Sequence, residues 1–270
     1  MRARRLRALL AAVLAAAVLA GAAGCAQSVD PIERLGKKAA QRVRRSYGPH
    51  EGAYRRWGLA APLAPPPRPA RPLPRHVEPE DEGLPEVLDR VPTHDRVVFL
   101  TYDEGAERDP RFAEMVRDLR LPVSVFLTDS RDGPGYARIG RLRAAGATIQ
   151  NHTLDHAGLR GRPYAEQRAQ ICAGRDRLRS RLVRRPLLLR PPYGRYDRTT
   201  LRAAADCGIK ALILWRPAHA YGRSTALHPG DILRPHEPGR PQTSLTTETI
   251  RVLRRLQSRG FTVARLEDYL

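Results

Sequence analysis

Two adjacent carboxylates, two histidines four residues apart and an arginine occur in three short segments: Thr101–Gly105, Asn151–His156 and Arg190–Tyr193. Imidazole and carboxylate groups bind zinc and similar divalent metals, and a carboxylate left free beside the metal can act as a general base. Each segment follows a short apolar run typical of a β-strand. The three segments together indicate a metal-dependent hydrolase.

The adjacent carboxylates, Asp103 and Glu104, follow an apolar strand and precede Gly105. Neighbouring side chains point to opposite faces of a strand, but a turn at glycine lets them converge. One carboxylate could then bind metal while the other serves as the base. A strand-ending turn with solvated acids is the alternative for this segment taken by itself.

The histidine pair, His152 and His156, has a spacing that places both rings on one face of a helix, and a tight turn after a strand can do the same. The alternative is a helix start in which Thr153 and Asp155 act as caps.

Three further residues could complete a hydrolytic site. Arg190 ends an apolar run, and its guanidinium could orient a carboxylate base, with a surface arginine as the alternative. Tyr193 keeps its backbone N–H after two prolines and could donate to an oxyanion. His236 follows a predicted strand and could protonate a leaving amine, or could be an ordinary loop histidine.

From about residue 95, apolar runs alternate with amphipathic stretches, which predicts parallel strands joined by crossover helices. Seven strands are predicted, at Val97–Tyr102, Val123–Thr128, Ala147–Asn151, Leu187–Arg190, Ala211–Trp215, Asp231–Leu233 and Phe261–Ala264. Five helices are predicted, at Pro110–Arg120, Tyr136–Ala145, Pro163–Leu182, Asp197–Cys207 and Thr246–Arg259. The pattern predicts an α/β fold of seven strands, compact for a full eightfold barrel. An incomplete, (β/α)7-type barrel fits it better than a doubly wound sheet.

The first 24 residues combine a basic start, a short apolar run and small residues, which predicts a signal peptide. Cys25 ends this stretch as in a bacterial lipobox and is predicted to carry lipid, with an ordinary signal peptide as the alternative. Residues 25–94 are predicted to be a polar and proline-rich linker, and residues 95–270 a single catalytic domain.

The net charge and the cysteines bear on which partners and which compartment are expected. The net charge of +20 comes from arginines spread along the chain, so general arginine bias explains it better than attraction to anionic wall polymers or lipids. No nucleic-acid recognition motif is present, and nucleic acid is not an expected partner. Cys172 and Cys207 could form a disulfide in an exported chain or remain buried thiols.

Residues from about 96 to 270 resemble the polysaccharide deacetylase family, also called the NodB-homology family or carbohydrate esterase family 4. Thr101–Gly105 resembles its Thr-Phe-Asp-Asp-Gly motif. Residues 152–156 match its His-Ser/Thr-x-x-His motif, and Arg190–Tyr193 match its Arg-x-Pro-Tyr motif. The resemblance implies a distorted barrel that removes acetyl groups from sugars with a divalent metal, usually zinc, with cobalt or a similar metal as the alternative.

The resemblance also implies roles for seven residues. The metal ligands would be Glu104, His152 and His156. The catalytic residues would be Asp103 as general base, Arg190 as its orienting partner, Tyr193 as oxyanion donor through its N–H, and His236 as general acid.

The chain departs from the family pattern at three places. Glu104 stands where the family has aspartate, and Arg234 and Pro235 replace apolar residues before the histidine. The Asp-x-x-Asp-Trp motif has no counterpart around Trp215, so the aspartate that tunes the acid histidine is missing. These changes could mean an altered substrate or reduced activity.

The sequence therefore predicts a metal-dependent hydrolase that removes N-acetyl or O-acetyl groups from a polysaccharide, with peptidoglycan or another N-acetylglucosamine-containing glycan as substrate. The alternative is a catalytically degenerate protein that binds wall glycan without turnover. The expected location is the extracytoplasmic face of the cell membrane, through an N-terminal lipid anchor, or the secreted fraction.

Overall fold

A computed structural model describes residues 52–69, 83–128, 133–182, 185–217, 226–236 and 244–270. All of them belong to one compact unit, Pro49–Leu270. The predicted signal peptide and Cys25 lie outside the described residues. Within the described part of the chain, no helix is both long and apolar enough to cross a membrane.

The described elements alternate as the sequence predicts. The strands are β1 (Glu86–Leu88), β2 (Val97–Tyr102), β3 (Val123–Leu127), β4 (Thr148–Asn151), β5 (Leu188–Leu189), β6 (Ala211–Ile213), β7 (Arg216–Pro217), β8 (Ile232–Arg234) and β9 (Thr262–Val263). The helices are α1 (Ala53–Arg56), α2 (Pro110–Asp118), α3 (Gly133–Ala144), α4 (Tyr164–Leu182), α5 (Arg198–Asp206) and α6 (Leu245–Ser258).

The strands form one curled parallel sheet in the order β1-β6-β5-β4-β3-β2-β8-β7, with β9 paired to β2. An isolated bridge between Arg90 and Asp231 joins the segment after β1 to the start of β8. The sheet therefore curls back toward itself as an incomplete barrel, and the predicted distorted (β/α)7-type fold is confirmed. All seven predicted strands are present, and β1 and β7 are additional short strands.

Strand β2 shows how the alternation of side chains builds the layers of the fold. Val97 and Phe99 point into the barrel interior, where they join a core that includes Tyr269. Val98 and Leu100 belong to the core on the opposite face of the strand. All six side chains of β2 are buried, as expected for a parallel strand covered on both faces.

Residues 52–69, the first described part of the predicted linker, contribute two apolar side chains to the core. Trp57 and Leu59 are each only 4% exposed, and they pack in the core with residues of α2 and α6. The indole N–H of Trp57 donates to Asp118 at 3.2 Å. Burial of these apolar side chains removes their surface from water and stabilises the packing of this segment on the domain.

The sheet also begins earlier than the boundary predicted at residue 95. Strand β1 pairs in parallel with β6, in the register Glu86 with Ala211. Its three residues carry no clear alternation, so a strand this short leaves little sequence signal.

A disulfide joins Cys172 in α4 to Cys207, the residue that follows α5. The sequence left this pairing open. The two helices pack against each other, which brings the cysteines together across a separation of 35 residues.

Candidate active site

The candidate catalytic and metal-binding residues follow parallel strands at the same edge of the sheet. Asp103 and Glu104 follow β2, His152 follows β4, Arg190 follows β5 and His236 lies two residues after β8. Because parallel strands place their carboxyl ends together, segments that are far apart in the chain converge here.

Glu104, His152 and His156 form a compact cluster whose ligand atoms all lie within 4.8 Å of one another. Oε2 of Glu104 is 3.6 Å from Nε2 of His152, and the two imidazole ring centroids are 4.8 Å apart. The other carboxylate oxygen of Glu104 accepts the backbone N–H of Thr128 at 3.0 Å. The longer glutamate side chain therefore reaches the histidines.

The loop that carries both histidines has an unusual backbone. Thr153 and His156 have φ values of 74° and 65°, a region that residues with a Cβ rarely adopt. The side chain of Asn151 accepts the N–H of Thr153 at 3.0 Å, and the hydroxyl of Thr153 accepts the N–H of His156 at 3.1 Å. These bonds hold a tight turn, so the pair is no helix start.

Asp103 is held by two guanidinium groups, one on each carboxylate oxygen. Nη1 of Arg190 donates to Oδ1 at 2.6 Å, and Nη1 of Arg234 donates to Oδ2 at 2.9 Å. Thr101 Oγ1 also accepts from Arg190, at 2.7 Å. Thr101 lies in β2, and Asp103, two residues further on, directly follows this strand, which explains why both reach the same arginine.

Arg190 is completely buried, and its environment compensates for the loss of water. Its guanidinium carbon lies 4.2 Å from the ring centroid of Phe126 and 5.1 Å from that of Trp215. Its Nε donates to the carbonyl of Ile213 at 3.3 Å. A buried charge that is paired, hydrogen bonded and stacked in this way has a fixed position.

The charges of the cluster follow from these contacts. Burial alone would raise the pKa of Asp103, but the guanidinium of Arg190 outweighs it and, with His152 and Arg234, lowers the pKa to about 2. Burial raises the pKa of Glu104 to about 7, and the charge of Asp103 adds to this effect. Burial lowers the pKa of His152 to about 4, so its ring is neutral, as a metal ligand must be.

The donor set fits a divalent metal. Nδ1 of His152 lies 2.6 Å from the backbone carbonyl of Arg190, which accepts its proton and leaves the lone pair of Nε2 facing Glu104. Two imidazole nitrogens and one carboxylate are a donor set that catalytic zinc sites use, with further positions open to water or substrate.

Tyr193 contacts the histidine pair, and His236 follows β8, the strand that pairs with β2. Tyr193 adopts φ 59° in the turn Pro192–Gly194, and its exposed ring packs edge-on against His156 with centroids 4.9 Å apart. Nδ1 of His236 is 2.6 Å from Oε2 of Glu248, which lies in the first turn of α6.

Sequence reasoning missed the contacts of two residues. Arg234 was noted as a departure from the family pattern, but its contact with Asp103 depends on the pairing of β8 with β2. Glu248 carried no signal beyond being an acidic residue at a helix start, which usually complements the helix dipole.

The family described as "Polysaccharide deacetylase" matches residues 90–212. An uncharacterised protein of Streptomyces coelicolor is 53% identical over 194 residues, 69% of this chain and 78% of the relative. A peptidoglycan-N-acetylglucosamine deacetylase of Bacillus cereus is 22% identical over 195 residues, 67% of this chain and 91% of the relative. The solved structure of a carbohydrate esterase family 4 pseudoenzyme from Bacillus anthracis has a TM-score of 0.59 at 19% identity, covering 68% of this chain and 69% of that one.

The curled parallel sheet and the clustered carboxylates and histidines at its carboxyl edge define a barrel-type α/β hydrolase with a candidate metal site. The chain belongs to the polysaccharide deacetylase family, carbohydrate esterase family 4. Membership places it among the hydrolases that act on carbon–nitrogen bonds of acetylated glycans.

Proposed function

We propose that this protein is a metal-dependent deacetylase that removes the N-acetyl group from N-acetylglucosamine units of a polysaccharide, with peptidoglycan as the first substrate to test. The observation that carries the proposal is the cluster of Glu104, His152 and His156 beside the Asp103–Arg190 pair. Three ligands and a separate, oriented carboxylate are the parts that hydrolysis of an amide at a metal site requires.

Glu104, His152 and His156 would hold the metal, either zinc or a similar ion such as cobalt. When bound, such a metal polarises the acetyl carbonyl and lowers the pKa of water towards neutrality.

The remaining residues move and stabilise charge. Asp103, held by Arg190, takes a proton from the attacking water while the water oxygen forms a bond to the acetyl carbon. The backbone N–H of Tyr193 donates to the developing oxyanion. His236 gives a proton to the sugar nitrogen as the carbon–nitrogen bond breaks, which releases acetate and leaves a free amine. Hydrolysis of an O-acetyl group would follow the same steps.

The extracytoplasmic face of the membrane is the proposed location. The Cys172–Cys207 disulfide supports this placement because disulfides persist mainly in oxidising compartments. Anchoring would come from lipid on Cys25. The test is membrane fractionation of cells that produce the wild type or Cys25→Ser, and loss of the protein from the membrane fraction in the variant is expected.

A second candidate function is glycan binding without turnover. The contact of Arg234 with Oδ2 of Asp103 favours it, because both oxygens of the proposed base are then engaged. The Bacillus anthracis relative of this fold is described as a pseudoenzyme.

The deciding experiment measures acetate release from peptidoglycan and from N-acetylglucosamine oligomers, using the full-length protein with zinc or cobalt. Asp103→Asn is expected to abolish acetate release while metal binding remains. Glu104→Gln is expected to weaken metal binding at least about tenfold and to reduce acetate release with it. Glu166→Gln, which removes an exposed carboxylate of α4, is the matched control.

Acetate release by the wild type that disappears in Asp103→Asn supports the enzyme. No acetate from folded, metal-loaded wild type, together with retention of the protein on insoluble peptidoglycan, would overturn it in favour of the binding function.

A further inference from the structure

The motif that supplies the carboxylate partner of the acid histidine in related sequences is absent from this chain, yet His236 has a carboxylate partner. Oε2 of Glu248 lies 2.6 Å from Nδ1 of His236. The two residues are 12 positions apart, with Glu248 on the helix that follows the β8 loop. The contact is therefore made by a different element from the one that the motif would use.

The position of Glu248 is set by contacts of α6 with the site strand β2. The hydroxyl groups of Tyr102 and Thr249 are 3.0 Å apart, and both are buried. Tyr102 directly precedes Asp103, so this bond ties the residue next to Glu248 to the strand that carries the proposed base. A second bond, from the hydroxyl of Thr246 to Asp109 at 2.9 Å, fixes the first turn of the helix.

The side chains of both partners are neither free in solvent nor fully enclosed. The side chain of His236 is 28% exposed and that of Glu248 is 16% exposed. A carboxylate in this setting accepts the Nδ1 proton, fixes the tautomer and leaves Nε2 as the nitrogen that exchanges a proton with a substrate. It also stabilises the ring when Nε2 is protonated.

The strand order places this pair beside the site. Strand β8 pairs with β2 in the register Leu100 with Leu233, and both strands end at the same edge of the sheet. His236 therefore follows the strand adjacent to the one that precedes Asp103 and Glu104. A ring fixed here can act on the same bound substrate.

We infer that Glu248 is the positioning residue of His236, replacing the missing motif carboxylate, and that it holds the ring as the Nδ1–H tautomer with Nε2 available for proton transfer. The inference rests on the proposed deacetylase function for its catalytic consequence. The tautomer itself is a property of the resting protein and can be measured without turnover.

The kinetic arm compares the wild type with Glu248→Gln in acetate release from N-acetylglucosamine oligomers. We expect kcat to fall by about 10- to 100-fold with KM within about twofold, since general acid–base catalysis contributes roughly 10²–10⁴-fold and only part of it depends on orientation. Glu166→Gln is the control and keeps the wild-type kcat. An equal kcat in Glu248→Gln and the wild type, at equal thermal stability, would overturn the inference.

The spectroscopic arm uses long-range ¹H–¹⁵N correlation NMR of full-length protein labelled on histidine, which distinguishes the protonated ring nitrogen from the unprotonated one. His236→Gln assigns the signal. We expect the Nδ1–H tautomer in the wild type and a loss of that preference in Glu248→Leu, which keeps side-chain bulk but cannot accept a hydrogen bond. The same tautomer in Glu248→Leu would overturn the inference.

The two arms separate the possible failures. A wild type that releases no acetate contradicts the proposed function, while the NMR result still supports or contradicts the control of His236 by Glu248. If the wild type is active and Glu248→Gln has the same kcat, the inference about Glu248 is contradicted but the proposed function is not.

Discussion

At the scale of single residues, the main feature of the site is that both carboxylate oxygens of Asp103 accept hydrogen bonds from arginines. Arg190 donates to Oδ1, whereas Arg234 donates to Oδ2 from a position where the family has an apolar side chain. A carboxylate held by two cations has a low proton affinity and is a weak general base near neutral pH.

Arg234→Met should therefore raise activity. Methionine can still pack on the indole of Trp215, which lies 4.0 Å from the guanidinium carbon, but it frees Oδ2 of Asp103. We expect kcat to rise by up to about tenfold, a small part of the roughly 10²–10⁴-fold that general base catalysis contributes. The measurement is kcat for acetate release.

Arg108→Met, which removes an exposed arginine paired with Glu107, is the matched control. An unchanged or lower kcat in Arg234→Met would mean that Arg234 supports the base or binds substrate.

At the scale of elements, the histidine loop depends on a close approach by α4. A Cβ added to Gly174 would lie 2.6 Å from the backbone carbonyl carbon of Thr153, the positive-φ residue that directly follows His152. Backbone cannot move aside as a flexible side chain can, so the loop and helix are fitted to each other through this glycine.

Gly174→Ala should displace the loop and reduce stability by about 1–3 kcal/mol, the cost typical of overpacking. Metal affinity should fall as well, because His152 and His156 would separate. Urea unfolding and calorimetric titration with zinc measure the two effects.

Gly140→Ala is the control, since this exposed helical glycine has no atom within 4 Å of an added Cβ. It should stabilise the protein by up to about 1 kcal/mol. Equal stability of the two variants would contradict the proposed close fit.

The cap of α5 should make stability depend on pH. Burial acts to raise the pKa of Asp197, but hydrogen bonds from the N–H groups of Gly161 and Thr200 outweigh it and hold the pKa below its ordinary value. The stabilising effect is thus present above the ordinary aspartate pKa, and it is lost as the pH falls through the lowered value in the folded protein.

Asp197→Asn should therefore be less stable than the wild type at pH 7, with a gap that closes in acid. The free energy of unfolding in urea from neutral to acidic pH measures it. Asp176→Asn is the control for removal of an exposed carboxylate, and a gap of constant size for Asp197→Asn would contradict the linkage.

At the scale of the whole molecule, the disulfide links two outer helices that cover one face of the sheet. Cys207 is fully buried in the cluster formed by α4, α5 and neighbouring strands. A cross-link over 35 residues restricts the unfolded chain, while the folded helices already place the cysteines together.

The paired change of Cys172→Ala and Cys207→Ala should lower the free energy of unfolding by about 3–4 kcal/mol. Reduction of the wild type with dithiothreitol should have a similar effect, and both are measured by urea unfolding. A wild type whose stability does not respond to dithiothreitol would contradict a structural role for the bond.

Much of the fold could be predicted because strand and helix patterns are local. The strand at Val97–Tyr102 was predicted with its observed bounds, since its continuous apolar run and the turn at Gly105 leave little choice. β1 and β7 escaped prediction because Glu86–Leu88 and Arg216–Pro217 do not form a continuous apolar run. They become strands by pairing with β6 and β8, which the local sequence does not show.

The sequence by itself determined which residues could do chemistry and in which order the strands carry them. Motif spacing and strand ends are properties of the local chain, so the resemblance, the barrel and the choice of Asp103, Glu104, His152, His156 and Arg190 as candidates could be stated in advance. The tertiary structure alone decided the contacts between distant segments: Arg234 on Asp103, Glu248 on His236, and Cys172 on Cys207. These pairs depend on strand order and helix packing, which are fixed only when the whole core is buried.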